Sequence, residues 1–270
     1  MNTQLTPAQS VAYDLLLPFL KGPHDAHLAV LEGYAGTGKT YLVAALLRGA
    51  CPGLRIAVAA PTNKAVRVLR DTLEAQEVPI ASAGNEEDDF PRRRRKPGTG
   101  CTCRSIYSLL GLKVREADNG LQEIVSGQRD STLRDYDIVV IDECSMLNDY
   151  VFKKIIDEHD EAQVLFVGDP AQLPPVSTKN DDSLLSPVFT RVSLKVRLTE
   201  VVRQAQDNPI IQLSIRIRQL IEADIKATVL SLAEVLPDVA SGPKAALVSG
   251  TSQTLVDWWL DQFSDDAESD

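Results

Sequence analysis

Between residues 33 and 40 the chain reads Gly33-Tyr34-Ala35-Gly36-Thr37-Gly38-Lys39-Thr40, a G-x-x-x-x-G-K-[ST] pattern set between an apolar run and a helical stretch. Glycines at this spacing let successive backbone N–H groups turn toward an anion at a helix N-terminus. Lys39 then offers a point charge to the β and γ phosphates of a nucleoside triphosphate, and the Thr40 hydroxyl is a ligand for Mg²⁺. A glycine turn without chemistry is the alternative, but the strand-to-helix context is what a phosphate loop requires. A second signal closes the apolar run Ile138 to Ile141, where Asp142-Glu143 projects two carboxylates from the end of a strand. In that position Asp142 holds Mg²⁺, usually through water, and Glu143 orients and deprotonates the attacking water.

Those residues need a scaffold that brings strand ends together. Four short runs lack polar alternation and read as strands buried on both faces: His27 to Glu32, Arg55 to Ala60, Asp137 to Asp142 and Gln163 to Gly168. Helical stretches such as Lys39 to Gly49 and Lys64 to Leu73 alternate with them. The pattern predicts an α/β fold, a right-handed parallel sheet flanked by helices, with ligands at the carboxyl ends of the strands. Residues 81 to 133 read as an insertion. Its first part pairs the acids Glu86, Glu87, Asp88 and Asp89 with the bases Arg92 to Arg95 and Lys96. That run reads as a solvated loop, with a grip on a DNA backbone as the alternative. In LKVREADNGLQEIV, Asn119-Gly120 between two apolar-flanked runs is a hairpin signal. After Thr199 the chain turns helical to about Leu236, followed by a strand candidate at Ala245 to Val248 and a helix with Trp258-Trp259.

The 270 residues are 44% hydrophobic and 24% charged, the balance of a soluble globular protein, with no apolar run long enough to span a bilayer. Cys51, Cys101, Cys103 and Cys144 do not make a disulfide framework, so an intracellular, reducing compartment is expected. Cys101-Thr102-Cys103 also lacks the second ligand pair that tetrahedral zinc requires. The net charge of −10 argues only weakly against a nucleic-acid partner. Asp257, Asp261, Asp265, Asp266, Glu268 and Asp270 contribute more than half of it in a terminal segment with no Lys or Arg, and phosphate affinity is set by local basic groups.

In order, GYAGTGKT, AAPTNKAVRVLR (Ala59 to Arg70), VVIDECSML (Val139 to Leu147), FVGDPAQLPPV (Phe166 to Val176) and LTEVVRQ (Leu198 to Gln204) resemble the motifs of superfamily 1B DNA helicases of the RecD and Dda type. The resemblance implies a P-loop NTPase of RecA-like fold with ATP and Mg²⁺ bound between two domains and single-stranded DNA across their tops. It implies 5′ to 3′ movement and forked duplex as substrate, with replication or repair proteins as candidate partners and no membrane; the sequence does not reveal the oligomeric state, for which a monomer is the expectation. The setting would be the cytoplasm of a bacterium or a phage-infected cell. The expected organisation is a first RecA-like domain (1–80 and 134–197), an inserted loop and pin-like hairpin (81–133), and the start of a second RecA-like domain (198–270). Nothing after Gln204 matches the family's later motifs, so the chain is expected to be part of a longer protein, competent at most for nucleotide binding and weak hydrolysis.

The resemblance also assigns roles to single residues, each beside a plainer reading. Gln9 resembles the glutamine that reads adenine, though Thr6-Pro7-Ala8-Gln9 is equally a capping box. Gln172 resembles the sensor of the γ phosphate, or is a polar loop residue before Pro174-Pro175. Arg203 resembles an arginine finger supplied in cis, or is a surface helix arginine. Thr62, Asn63 and Lys64 match a loop that meets DNA phosphates without reading sequence. Ser105-Ile106-Tyr107 matches the next DNA-contacting motif, with Tyr107 in place of its histidine; Tyr107 either stacks on a base or packs on Leu110. Leu121 is the apolar candidate at the tip of the hairpin, which either splits base pairs or is passive. Two rivals stand beside a helicase: a P-loop switch or loader that never unwinds, and a nucleotide- and nucleic-acid-binding fragment without turnover.

Overall fold

Unbroken apolar runs need cover on both faces, and the computed structural model provides it. It describes residues 5–22, 26–50, 53–80, 99–116, 122–127, 129–175 and 185–200. The strands are β1 (Leu28–Gly33), β2 (Arg55–Ala60), β3 (Gly100–Ser105), β4 (Leu112–Glu116), β5 (Gln122–Ser126), β6 (Ile138–Ile141), β7 (Gln163–Gly168) and β8 (Leu194–Leu198). The helices are α1 (Pro7–Lys21), α2 (Lys39–Ala50), α3 (Asn63–Ala75), α4 (Ile106–Leu109), α5 (Asp149–Glu158) and α6 (Val188–Arg191). Six strands make one parallel sheet in the order β3-β2-β6-β7-β1-β8. The four strands expected from the sequence all form, their ends within one residue of expectation.

Period-two alternation sorts the sheet residues between two cores. Ala29, Leu31, Ile56, Val58, Ile138, Val140, Leu165 and Val167 face a layer built by α1, α2 and α3. Val30, Ala57, Ala59, Val139, Ile141, Val164 and Phe166 face α4, α5 and α6. Each fully buried Leu, Ile or Phe in these layers contributes about 2 kcal/mol against its exposed state.

Two sheet strands escape the sequence reading. Residues 100–105, which fall within the expected insertion, pair parallel with β2 from Arg55↔Gly100 to Ala60↔Ser105. Those expected bounds are therefore too wide. Cys101 and Cys103 are buried in the first core, and the short alternation with Thr102 and Arg104 carries no apolar run. β8, the strand LKVRL, forms the other edge beside β1 and buries Val196 and Leu198 while Lys195 and Arg197 stay exposed. Edge strands with one wet face lose the continuous apolar signal on which the reading depended.

Between β3 and β6 lies an antiparallel pair, β4 with β5, in register Leu112↔Ser126 and Val114↔Ile124. Its root is tight. Gly111 has φ +65°, and a Cβ there would lie 2.2 Å from the Arg129 carbonyl oxygen. Gly127 N–H donates to the Gly111 carbonyl at 2.7 Å, joining the two ends of the hairpin, and Thr132 N–H donates to the Leu109 carbonyl at 2.9 Å, tying the chain that follows to α4.

The chain divides into two units, Met1–Glu200 and Val201–Asp270. The second lies outside the described residues, as do Leu121, Arg203, the charged runs from Glu86 to Lys96, the Ala245 to Val248 candidate and Trp258-Trp259. Among the described residues no helix is long and apolar enough to cross a membrane.

Candidate nucleotide and nucleic-acid site

The phosphate loop leaves β1 at Gly33 and enters α2 at Lys39. Gly36 and Gly38 have φ of 80° and 77°, values that a side chain would strain. At Gly33 a Cβ would meet Thr37 Oγ1 at 2.8 Å and the Leu198 carbonyl oxygen at 3.2 Å. Thr37 Oγ1 donates to the Tyr34 carbonyl at 2.8 Å and closes the loop from inside. Lys39 Nζ folds back over it, donating to the carbonyls of Gly33 at 2.8 Å and Tyr34 at 3.1 Å. These are bonds to neutral oxygens, which the charged oxygens of a phosphate would outcompete. Ala35 and Gly36 are exposed, and Thr40 is half-buried in the first turn of α2.

Gln9 is 3% exposed and reaches this loop. The capping box forms in full: Gln9 N–H donates to Thr6 Oγ1 at 3.2 Å and Thr6 N–H to Gln9 Oε1 at 3.0 Å. Gln9 Nε2 also donates to the Thr37 carbonyl at 3.0 Å. An adenine would have to use the second N–H and the second lone pair of an amide already engaged.

Asp142 and Glu143 follow β6, and β7 lies between that strand and β1. Asp142 N–H continues the ladder to the Ala59 carbonyl at 2.8 Å, and its Oδ1 accepts from Glu143 N–H at 2.9 Å. Burial pushes the Asp142 carboxyl up to about 6 and the Glu143 charge adds to this, while the Glu143 N–H and the Lys39 ammonium pull the other way. The pull from Lys39 shows that the loop and the acidic pair share one field. A nearby dication would strengthen it and keep Asp142 ionised. The donor set fits Mg²⁺, since the Thr40 hydroxyl and the Asp142 carboxylate are hard oxygen ligands and Mg²⁺ takes few protein ligands, filling its shell with water and phosphate. Glu143 sits in the left-handed region at φ 54°, ψ 39°, which costs about 1–2 kcal/mol for a non-glycine residue. Its side chain makes no hydrogen bond to cap the short turn Cys144–Met146 that it opens.

Sequence reasoning passed over several neighbours. Cys144 is fully buried, and burial pushes its thiol well up, with Asp142, Glu143 and Glu32 adding to the effect. It packs so close to β7 that a Cβ on Gly168 would lie 2.7 Å from its Sγ. Asp169, fully buried at the end of β7, accepts from Ala171 N–H at 3.0 Å through Oδ1 and from Gln172 N–H at 3.0 Å through its carbonyl. That turn holds Gln172 half-buried and leaves Leu173 exposed. Asp-Pro with a small residue two places on was the available signal. Glu32, 6% exposed, accepts from Arg197 Nε at 3.1 Å.

The candidate DNA-contacting residues lie at the carboxyl ends of β2 and β3. Thr62, Asn63 and Lys64 are exposed at the start of α3, and Ser105 ends β3 opposite Ala60. Thr62 Oγ1 caps α3 by accepting from Ala65 N–H at 3.1 Å, and Ser105 Oγ caps α4 by accepting from Ser108 N–H at 3.2 Å. Each hydroxyl keeps its O–H to donate to a phosphate. Tyr107 packs against the core that contains Leu110, and burial pushes its phenol up. If Lys64 meets a phosphate, Lys64→Ala weakens single-stranded DNA binding to a similar degree for every sequence. The slope of log affinity against log salt then falls by about 0.7, and an altered sequence preference in a salt titration would contradict a backbone contact.

A parallel sheet with a phosphate loop after β1 and an acidic pair two strands away defines a RecA-like P-loop domain. Residues 23–229 match the AAA domain family model, and the chain belongs to that family. Among its relatives are helicases of the RecD and Dda type, which belong to superfamily 1B. The ATP-dependent RecD2 DNA helicase of Deinococcus radiodurans is 32% identical over 191 residues, 68% of this chain and 21% of that protein. The ATP-dependent DNA helicase dda of Enterobacteria phage T4 is 26% identical over 220 residues, 79% of this chain and 42% of that one. The Pif1 helicase from Bacteroides, in a crystal structure with ADP-AlF3 and single-stranded DNA, superposes with a TM-score of 0.53 at 20% identity. That superposition covers 100% of this chain and 58% of the other. The chain thus spans less than half the length of the two curated relatives.

Proposed function

We propose that this chain is the nucleotide-hydrolysing part of a 5′ to 3′ DNA helicase, working on single-stranded and forked DNA in the cytoplasm. One observation carries the reading: Lys39 and Asp142-Glu143 lie at the carboxyl end of the same parallel sheet as Thr62, Asn63, Lys64 and Ser105, which supports a phosphate site and a phosphodiester grip on one rigid element. In the proposed cycle Lys39 leaves the Gly33 and Tyr34 carbonyls for the β and γ phosphates, while backbone N–H groups of Ala35 to Lys39 line the triphosphate. Glu143 takes a proton from water, whose oxygen bonds to the γ phosphorus as the bond to the β–γ bridging oxygen breaks. Thr40 and Asp142 would hold Mg²⁺, which supplies positive charge to the phosphate oxygens. Gln9 contacts adenine, Gln172 senses the γ phosphate, and Arg203 is the arginine finger. Fluorescence anisotropy of a labelled single strand tests the coupling. A non-hydrolysable ATP analogue should shift DNA affinity by about fivefold or more, and identical affinity with and without nucleotide would sink the motor reading.

The reading makes the β4–β5 hairpin the strand-separating pin, with Leu121, which lies outside the described residues, as the apolar residue proposed to meet the split base pair. Shortening residues 112 to 125 to a tight turn should abolish strand separation by the complete enzyme and leave DNA-stimulated hydrolysis within about twofold, because among the described residues β4 and β5 pair with each other and not with the sheet that carries Lys39, Asp142 and Glu143. Unwinding at the original rate on a forked duplex would make the hairpin passive.

A further inference from the structure

We propose that the Glu32–Arg197 ion pair is a positioning latch that passes occupancy of the phosphate loop to β8, the strand from which the chain leaves its first compact unit; this rests on the ATPase reading above. Glu32 immediately precedes the first glycine of the loop, and its carboxylate is buried, with 8% of the side chain exposed. Arg197 stands opposite it in the β1–β8 register and donates from Nε at 3.1 Å. One residue on, Leu198 is paired with Gly33 and fills the space above it, its Cβ and carbonyl oxygen both 3.2 Å from where a Gly33 Cβ would be. Among the described residues β8 is an edge strand whose one neighbour in the sheet is β1, so its register is held by that single ladder, by the burial of Val196 and Leu198, and by this pair.

The geometry makes the seam sensitive to nucleotide. Lys39 Nζ is bonded to the Gly33 carbonyl, and moving it to a phosphate changes the load on the residue against which Leu198 packs. A slip of β8 by one residue would turn Val196 and Leu198 out of the core and Arg197 in. The ion pair opposes that slip, because a carboxylate buried without its cation is strongly disfavoured. Displacement of Gly33 is therefore carried along β8 as a whole. The boundary between the two compact units falls at Glu200, two residues past the end of that strand.

The test compares wild type, Arg197→Lys, Arg197→Met and the double variant Glu32→Gln with Arg197→Met, which leaves no unpaired buried charge and keeps the fold testable. A latch predicts that the double variant binds a fluorescent ATP analogue and hydrolyses ATP without DNA within about twofold of wild type, whereas its stimulation by single-stranded DNA falls at least about tenfold. Arg197→Lys should restore part of that stimulation. A purely structural pair would instead lower the melting temperature and leave the stimulation ratio unchanged. Full stimulation in the double variant overturns the latch, while a wild-type chain that hydrolyses ATP but is not stimulated by DNA overturns the DNA-coupled motor reading on which it rests.

Discussion

Lys39→Ala should reduce ATP affinity by at least about a hundredfold and remove hydrolysis, because two hydrogen bonds to charged phosphate oxygens, at roughly 1.5–3 kcal/mol each, are lost together. The fold should survive. Lys39 is half-buried and its Nζ now donates to the carbonyls of buried Gly33 and half-buried Tyr34, so its loss costs about 1–3 kcal/mol at each acceptor left without a partner, short of what unfolds a domain. Equilibrium binding of a fluorescent ATP analogue and a thermal melt check both halves of this expectation. Wild-type affinity in the variant would remove the phosphate loop from the account.

Glu143→Gln separates binding from chemistry. The amide keeps the size of the side chain and adopts the same left-handed backbone at φ 54° with similar strain, so the turn before Cys144 should be preserved. What it loses is the ability to accept a proton, worth about 10²–10⁴ in rate. Turnover should therefore fall by that factor while ATP affinity stays within about twofold, measured by single-turnover hydrolysis alongside equilibrium binding. Loss of binding together with turnover would make Glu143 a structural or metal-site residue instead of the base.

The contrast between those two side chains and the Glu32–Arg197 pair shows what sequence could reveal. The positions of Lys39 after β1 and of Asp142 and Glu143 after β6 were legible because a G-x-x-x-x-G-K-[ST] run and a strand-terminal acidic pair are local patterns, each contained in a few consecutive residues. β1, β2, β6 and β7 were legible because burial on both faces leaves unbroken apolar runs. β3 and β8 lie at the sheet edges, where Thr102, Arg104, Lys195 and Arg197 interrupt the pattern. Glu32 and Arg197 meet across 165 residues, through a parallel register that composition does not encode. The contact of Gly168 with Cys144 is likewise visible only once β6 and β7 are neighbours. Gln9 falls between these cases, since its capping box was local but its bond to Thr37 was not.

The central claim is that nucleic acid controls hydrolysis at the Lys39, Asp142 and Glu143 site. The most direct test is the rate of phosphate release by this chain in ATP and Mg²⁺, with and without a single-stranded oligonucleotide, at a concentration where anisotropy shows the strand bound. The account predicts hydrolysis that rises at least about tenfold with DNA and falls back as added salt releases the strand. An identical rate with bound and absent DNA would contradict it and leave a P-loop switch or loader as the better description.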